Sequence, residues 1–295
     1  MTTAAPVPTT TPPGDAFPRH AVSVNGKMLT YRASGAGPAL VLLHGIGSNS
    51  GSWDAQLADL ATDFRLIAWD APGYGGSDAL ALEKPTPADY ADHLAAMLDA
   101  LGIGTCAILA HSFGALVAAA FLKRFPGRAT ALILSHPAVG FGAGSNDPLP
   151  ESAAARVRDL EELGPEGLAA KRGPRTCGPD ASEAVIARTR QIMGEIRLDG
   201  YRAANWVLAQ GDIRADLAAA LAAHPVPVQV MAGSADPITP EARARDLAAN
   251  LSGARYVDLG AVGHPSYAEA PECYNAAVRD FLIATGGATD KGASA

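Results

Sequence analysis

Cys106-Ala107-Ile108-Leu109-Ala110-His111-Ser112-Phe113-Gly114-Ala115-Leu116-Val117 passes from a short apolar run, through one polar turn, into an apolar pattern of helical period. The order is strand, sharp turn, helix. A serine at such a turn adopts a strained backbone, so the positions around it must be small for strand and helix to pack closely. Ala110, Gly114 and Ala115 meet that demand. The turn also sets the Ser112 hydroxyl at a helix N-terminus, where free N–H groups and the dipole favour developing negative charge. Ser112 is therefore the candidate nucleophile; the plain alternative is an N-cap serine.

Outward from this stretch, strands and helices alternate. Ala21 to Val24 and Lys27 to Ala33 read as a hairpin joined at Asn25-Gly26, a dipeptide that tolerates positive φ. Ala39 to Leu43, Leu66 to Trp69, Cys106 to Leu109, Ala131 to Leu134, Val226 to Met231 and Tyr256 to Leu259 are short, nearly unbroken apolar runs. Such runs suit strands covered on both faces, as in a parallel sheet. Helical spacing joins Tyr90, Leu94, Met97, Leu98 and Leu101, and again Tyr274, Val278, Phe281 and Leu282. The fold class that follows is α/β, a mostly parallel sheet flanked by helices.

The alternation stops over residues 141–222, where only helical periodicity remains, between a Gly/Pro/Asn-rich border at Gly140 to Pro150 and His224-Pro225. This segment reads as an inserted helical cap, with 18–140 and 223–286 as the core. Residues 1–17 read as a disordered Pro/Thr-rich leader and 287–295 as a flexible tail.

Other strand ends supply companions for Ser112. His44-Gly45-Ile46-Gly47 follows the Ala39 to Leu43 run, and a glycine-rich loop there can turn backbone N–H groups toward the serine. The N–H groups of Ile46 and Phe113 are the expected oxyanion hole. His44 itself reads as structural. Gly233-Ser234-Ala235-Asp236-Pro237 ends the Val226 to Met231 run and offers a carboxylate in a loop. The alternative for Asp236 is an ordinary turn aspartate, or a cap for a helix starting near Thr239. His264, in Gly263-His264-Pro265 after the last strand, can drop an imidazole onto the serine and act as its base. His111 and His136 also lie near strand ends. His111 is expected to point away at the turn, and His136 has no carboxylate near it in sequence, so both rank below His264.

Together these residues, in the order Ser112, Asp236, His264, resemble the α/β-hydrolase superfamily across the chain after the leader. Asp70-Ala71-Pro72-Gly73-Tyr74-Gly75-Gly76-Ser77 is similar to that superfamily's turn after its next strand, and Glu269-Ala270-Pro271-Glu272 to the start of its final helix. Ala110 replaces the more usual glycine and keeps the position small. Haloalkane dehalogenases and epoxide hydrolases carry aspartate where this chain has Ser112, which disfavours both activities. Asp199 to Ala204 and Gly211-Asp212-Ile213-Arg214 resemble 3-oxoadipate enol-lactonases. The resemblance implies a serine hydrolase cleaving a small-molecule ester or lactone through an acyl-enzyme. C–C bond hydrolases of meta-cleavage diketones, and a ligand-binding domain that does not turn over, are the competing readings. Trp206 is the candidate substrate contact in the insertion, the plain alternative being that it packs the inserted helices together. Lys171, Arg172, Arg175, Arg188 and Arg190 are candidates for an acidic substrate, or else solvated helix faces.

Composition narrows the partners. A net charge of −7 over 295 residues, with signs mixed along the chain, gives no basic surface for nucleic acid. No apolar run approaches the roughly 20 residues that cross a bilayer, so no membrane partner is expected. Three cysteines and the histidine spacing suggest neither a disulfide framework nor a metal site. The expected protein is cytoplasmic, without cofactor or metal, acting on a small molecule.

Overall fold

Asn25 and Gly26 both adopt positive φ, 52° and 76°. That local twist matches the flanking strands, and it folds β2 (Arg19–Val24) back on β3 (Lys27–Ser34) in antiparallel register. In this computed structural model, residues 17–286 are described, with the backbone of Val7 and Pro8. The rest of the expected leader, and the tail 287–295, lie outside the described residues. Val7–Pro8 forms β1, pairing antiparallel with β2, so the leader reaches the sheet edge at these two positions.

Six further strands follow in the described chain: β4 (Ala39–Leu43), β5 (Arg65–Trp69), β6 (Cys106–His111), β7 (Ala129–Ser135), β8 (Val228–Ala232) and β9 (Arg255–Asp258) complete one sheet with β1, β2 and β3. Its spatial order is β1-β2-β3-β5-β4-β6-β7-β8-β9. From β5 through β9 every neighbouring pair is parallel, so the C-terminal ends of β4, β6, β7 and β8 share one rim. The last run, expected to be covered on both faces, is instead an edge strand with Arg255 and Asp258 exposed, and Leu259 lies just past it.

The helices are α1 (Asp54–Asp59), α2 (Pro87–Ala100), α3 (Phe113–Arg124), α4 (Glu151–Arg172), α5 (Glu183–Met193), α6 (Leu198–Gln210), α7 (Ile213–Ala223), α8 (Glu241–Ala249), α9 (Ser266–Glu269) and α10 (Pro271–Ala284). On one face of the sheet Tyr90 and Leu94 of α2, Phe121 of α3 and Leu247 of α8 form the larger core. On the other, Leu57 of α1 and Tyr274 and Val278 of α10 pack on Leu40, Leu109 and Ile133. α3 is apolar all round because it is buried all round from Phe113 to Leu122.

The insertion between β7 and β8 is α4 to α7, with α4 broken at Gly164 (φ 66°, ψ 174°) before Pro165. Three glycine pairs set its distance from the core. A Cβ on Gly200 of α6 would stand 2.1 Å from Gly73 O, one on Gly140 1.9 Å from Gly211 O, and one on Gly263 2.2 Å from Gly178 N. At each pair two backbones touch where no side chain fits.

Gly200→Ala tests this packing with opposing signs. In a free helix the change gains about 1 kcal/mol; against the Gly73 backbone, overpacking costs about 1–3 kcal/mol. The expected outcome is a lower thermal midpoint, by several degrees in a calorimetric scan. A raised midpoint would mean that the contact is not tight.

Candidate active site

Ser112 sits between β6 and α3 with φ 52° and ψ −116°. A non-glycine residue held there stores about 1–3 kcal/mol of strain. The conformation is fixed from both sides: Ser112 N–H donates to Ser135 O at 3.0 Å, and its carbonyl accepts from Ala115 N–H at 3.0 Å and Ala138 N–H at 3.2 Å. Although it occupies the N-cap position, its side chain makes no cap hydrogen bond. The hydroxyl is thus left for other chemistry. Small neighbours make the turn possible, since a Cβ on Gly114 would stand 2.6 Å from Leu43 O.

Gly45 lies against this serine; a Cβ there would be 3.3 Å from Ser112 Cβ. His44 fixes the peptide that follows. Its Nε2 accepts from Ala71 N–H at 3.1 Å, which places the ring proton on Nδ1, 2.8 Å from Gly45 O. In a planar trans peptide the N–H points opposite the C=O. Binding Gly45 O on one side therefore turns Ile46 N–H to the other. Tyr74 Oη holds Ile46 O at 2.9 Å. Among the described residues neither Ile46 N–H nor Phe113 N–H donates to a protein acceptor. His44 is buried, and burial lowers its pKa, as a neutral structural imidazole requires.

Asp236 follows β8 and divides its two oxygens. Oδ1 accepts from Ile238 N–H at 2.7 Å and Thr239 N–H at 3.1 Å, the turn role open from sequence. Oδ2 lies 2.8 Å from His264 Nδ1. One carboxylate thus does both. Burial alone would raise its pKa, but the His264 imidazole and hydrogen bonds from His136 and His264 hold it well below the ordinary carboxylate range.

His136 corrects the sequence reading. No carboxylate is near it in the chain, yet its Nδ1 lies 2.7 Å from Asp236 Oδ2, across 100 residues. β7 and β8 are parallel neighbours, and His136 N–H donates to Met231 O at 2.8 Å, so the residues after both strands meet. His111 likewise does not simply point away. Its Nε2 lies 3.2 Å from His264 O, and its ring stands 4.5 Å from the His264 ring. The His264 loop is further held by His264 N–H to Thr176 O at 2.8 Å. Glu269 accepts from Gly178 N–H at 3.0 Å and Gly263 N–H at 2.9 Å, tying that loop to the insertion. Among the described residues no hydrogen bond joins Ser112 Oγ to His264; it is the serine's chain neighbour, His111, whose ring packs on the imidazole.

His136, Asp236 and His264 have the mutual spacing of metal ligands. An ionised carboxylate only accepts, so each facing Nδ1 carries the proton that binds it to Oδ2. The trio reads as a hydrogen-bonded cluster.

The family model described as alpha/beta hydrolase fold matches residues 38–271. The chain belongs to the α/β-hydrolase fold family. This α/β-hydrolase is 26% identical over 219 residues to 3-oxoadipate enol-lactonase 1 of Acinetobacter baylyi, covering 72% of this chain and 78% of that protein. The solved enol-lactonase of Burkholderia xenovorans LB400 superposes with a TM-score of 0.79 at 27% identity, covering 89% of this chain and 99% of that one. An uncharacterized protein of Mycobacterium tuberculosis is 39% identical over 112 residues, and the chain spans about a third of its length, 33%.

In this α/β-hydrolase the basic residues of the insertion are mostly engaged. Lys171 and Arg172 bind Asp159, and Arg188 binds Asp54 and Gly51 O. Trp206 is half-buried on α6, with Lys84 Nζ 4.6 Å above its ring. No helix among the described residues is long and apolar enough to cross a membrane.

The buried histidines set a pH dependence. Burial lowers the pKa of His44, His111 and His136. The unfolded chain takes up protons below about pH 6.5 where the folded one does not, so stability present above that pH is lost as pH falls. Each contributes up to about 1.4 kcal/mol per pH unit. Asp236, depressed in the folded state, adds a further loss below about pH 4. Denaturant unfolding from pH 7.5 to 5 is expected to show a steep drop, flattened in His44→Asn; a flat profile would contradict neutral burial.

Proposed function

We propose that the chain is a serine hydrolase that cleaves carboxylic esters or lactones of small molecules through an acyl-enzyme on Ser112. One observation carries the reading: the buried carboxylate of Asp236 lies 2.8 Å from His264 Nδ1, at the same rim as a serine whose strained turn leaves its hydroxyl uncapped. With the proton on Nδ1, the Nε2 lone pair is the free base. Nε2 takes the Ser112 proton as Oγ attacks the carbonyl carbon, and the oxyanion forms against Ile46 and Phe113 N–H. Each such donor is typically worth about 3 kcal/mol of barrier. Nε2–H then returns the proton to the leaving oxygen, which in a lactone stays tethered to the acyl chain. Water, deprotonated by the same nitrogen, releases the acid. The enol-lactonase relatives support ring-opening substrates. The inserted helices act as a cap over the acyl group, with Trp206 as a substrate contact.

Purified protein assayed on aryl esters, enol-lactones and vinylogous diketones is expected to turn over the first two. A fluorophosphonate is expected to label Ser112, seen by peptide mass analysis, and Ser112→Ala to abolish the label. Asp236→Asn leaves the imidazole in the wrong tautomer and is expected to lower kcat about 10⁴-fold, as in serine proteases. Near-normal turnover in that variant, or an adduct at another residue, would overturn the assignment.

A further inference from the structure

Asp236 Oδ2 faces three donors. Thr239 Oγ1 lies at 2.6 Å, His136 Nδ1 at 2.7 Å and His264 Nδ1 at 2.8 Å. One carboxylate oxygen has two lone pairs, so the three share it. His136 is fully buried, and its other nitrogen, Nε2, lies 2.9 Å from Ser266 Oγ. Because the ionised carboxylate accepts only, His136 carries its proton on Nδ1 and the Ser266 hydroxyl donates to Nε2. The main chain cooperates: His136 has φ 48°, which aims its side chain from the end of β7 toward the β8 loop.

His136 is not needed to hold the carboxylate, since Ile238 and Thr239 N–H groups already fix it through Oδ1. What His136 changes is how much negative charge Oδ2 leaves for the other imidazole. We propose that His136 is a positioning residue that weakens the hold of Asp236 on the protonated form of His264, and so sets the lower end of the pH range in which His264 acts as a base. This rests on the serine-hydrolase reading above. Removing the donor concentrates charge on Oδ2, stabilises the imidazolium, and moves the acid limb of activity upward. The groups facing the two imidazoles are Asp236 and Thr239 from the β8 loop and His111 from β6, whose ring is 5.9 Å from that of His136. Glu269 of α9 adds negative charge from the side of the insertion. Replacing His136 leaves all of these in place.

The test is the pH profile of kcat/KM on an aryl acetate for the wild type, His136→Asn and His136→Leu. Asparagine Nδ2 stands where imidazole Nδ1 stood, and asparagine tolerates positive φ; leucine removes the donor. The acid limb of His136→Leu is expected to move up by about half to one pH unit with KM little changed, and that of His136→Asn to stay near wild type. A fall in the plateau with an unmoved limb, or equal shifts in both variants, would overturn the proposal. Nitrogen-15 imidazole NMR of the wild type decides independently of variant folding. His136 is expected as the Nδ1–H tautomer from pH 6 to 8, and an Nε2–H tautomer would contradict the donor role. The His264 titration read by the same spectra in wild type and variants reports the shift without turnover. Absence of all ester and lactone hydrolysis would thus sink the hydrolase reading and leave the His136 proposal to be decided by NMR.

Discussion

A carboxylate removed from water keeps its charge only where donors replace the lost solvent, because the desolvation of such an ion costs several kcal/mol. Asp236 meets that condition with two backbone N–H groups on one oxygen and side-chain donors on the other. The arrangement depends on sheet topology. β7 and β8 are hydrogen-bonded in parallel, so the residues that follow them share a rim, and His136 and Asp236 are adjacent although far apart in the chain. His264, arriving after the edge strand β9, completes the cluster. The charge orients the imidazole, and the imidazole in turn holds the charge.

The insertion takes part in this geometry. Glycine contacts at Gly73–Gly200, Gly140–Gly211 and Gly178–Gly263 bring its backbone against the core. The last of these lies beside His264, whose own N–H is bound by Thr176 of the insertion. Glu269 accepts from both sides of the same seam. The loop that delivers the imidazole is therefore shaped by the inserted helices as well as by the sheet.

Much of this could be read along the chain. Periodicity found the hairpin, the parallel strands and the helical insertion, because burial on two faces leaves unbroken apolar runs and burial on one leaves helical spacing. The meeting of Asp236 with His264 followed from their places after two strands of one sheet. His136 escaped because a search for carboxylates close in sequence cannot see a partner supplied by strand adjacency. His111 escaped because its contact is with the backbone of His264. The role of His44 in turning the Ile46 peptide rests on two hydrogen bonds that no spacing encodes. Gly200 and Gly263 look like ordinary turn or helix glycines until the opposing backbone is in view. β1 was hidden by a Pro/Thr-rich composition that reads as unstructured, yet two residues suffice to pair with an edge.

In the function proposed above, Ser112, His264 and Asp236 act as one proton-transfer unit, with Ile46 and Phe113 as its anion site. The most direct measurement is a crystal structure of the protein after reaction with a small alkyl phosphonate ester. The expected adduct has phosphorus bonded to Ser112 Oγ, a phosphonyl oxygen within hydrogen-bond distance of Ile46 N and Phe113 N, and His264 Nε2 facing it with Nδ1 still on Asp236. A phosphonyl oxygen pointing away from both amides, or an imidazole detached from Asp236, would contradict it.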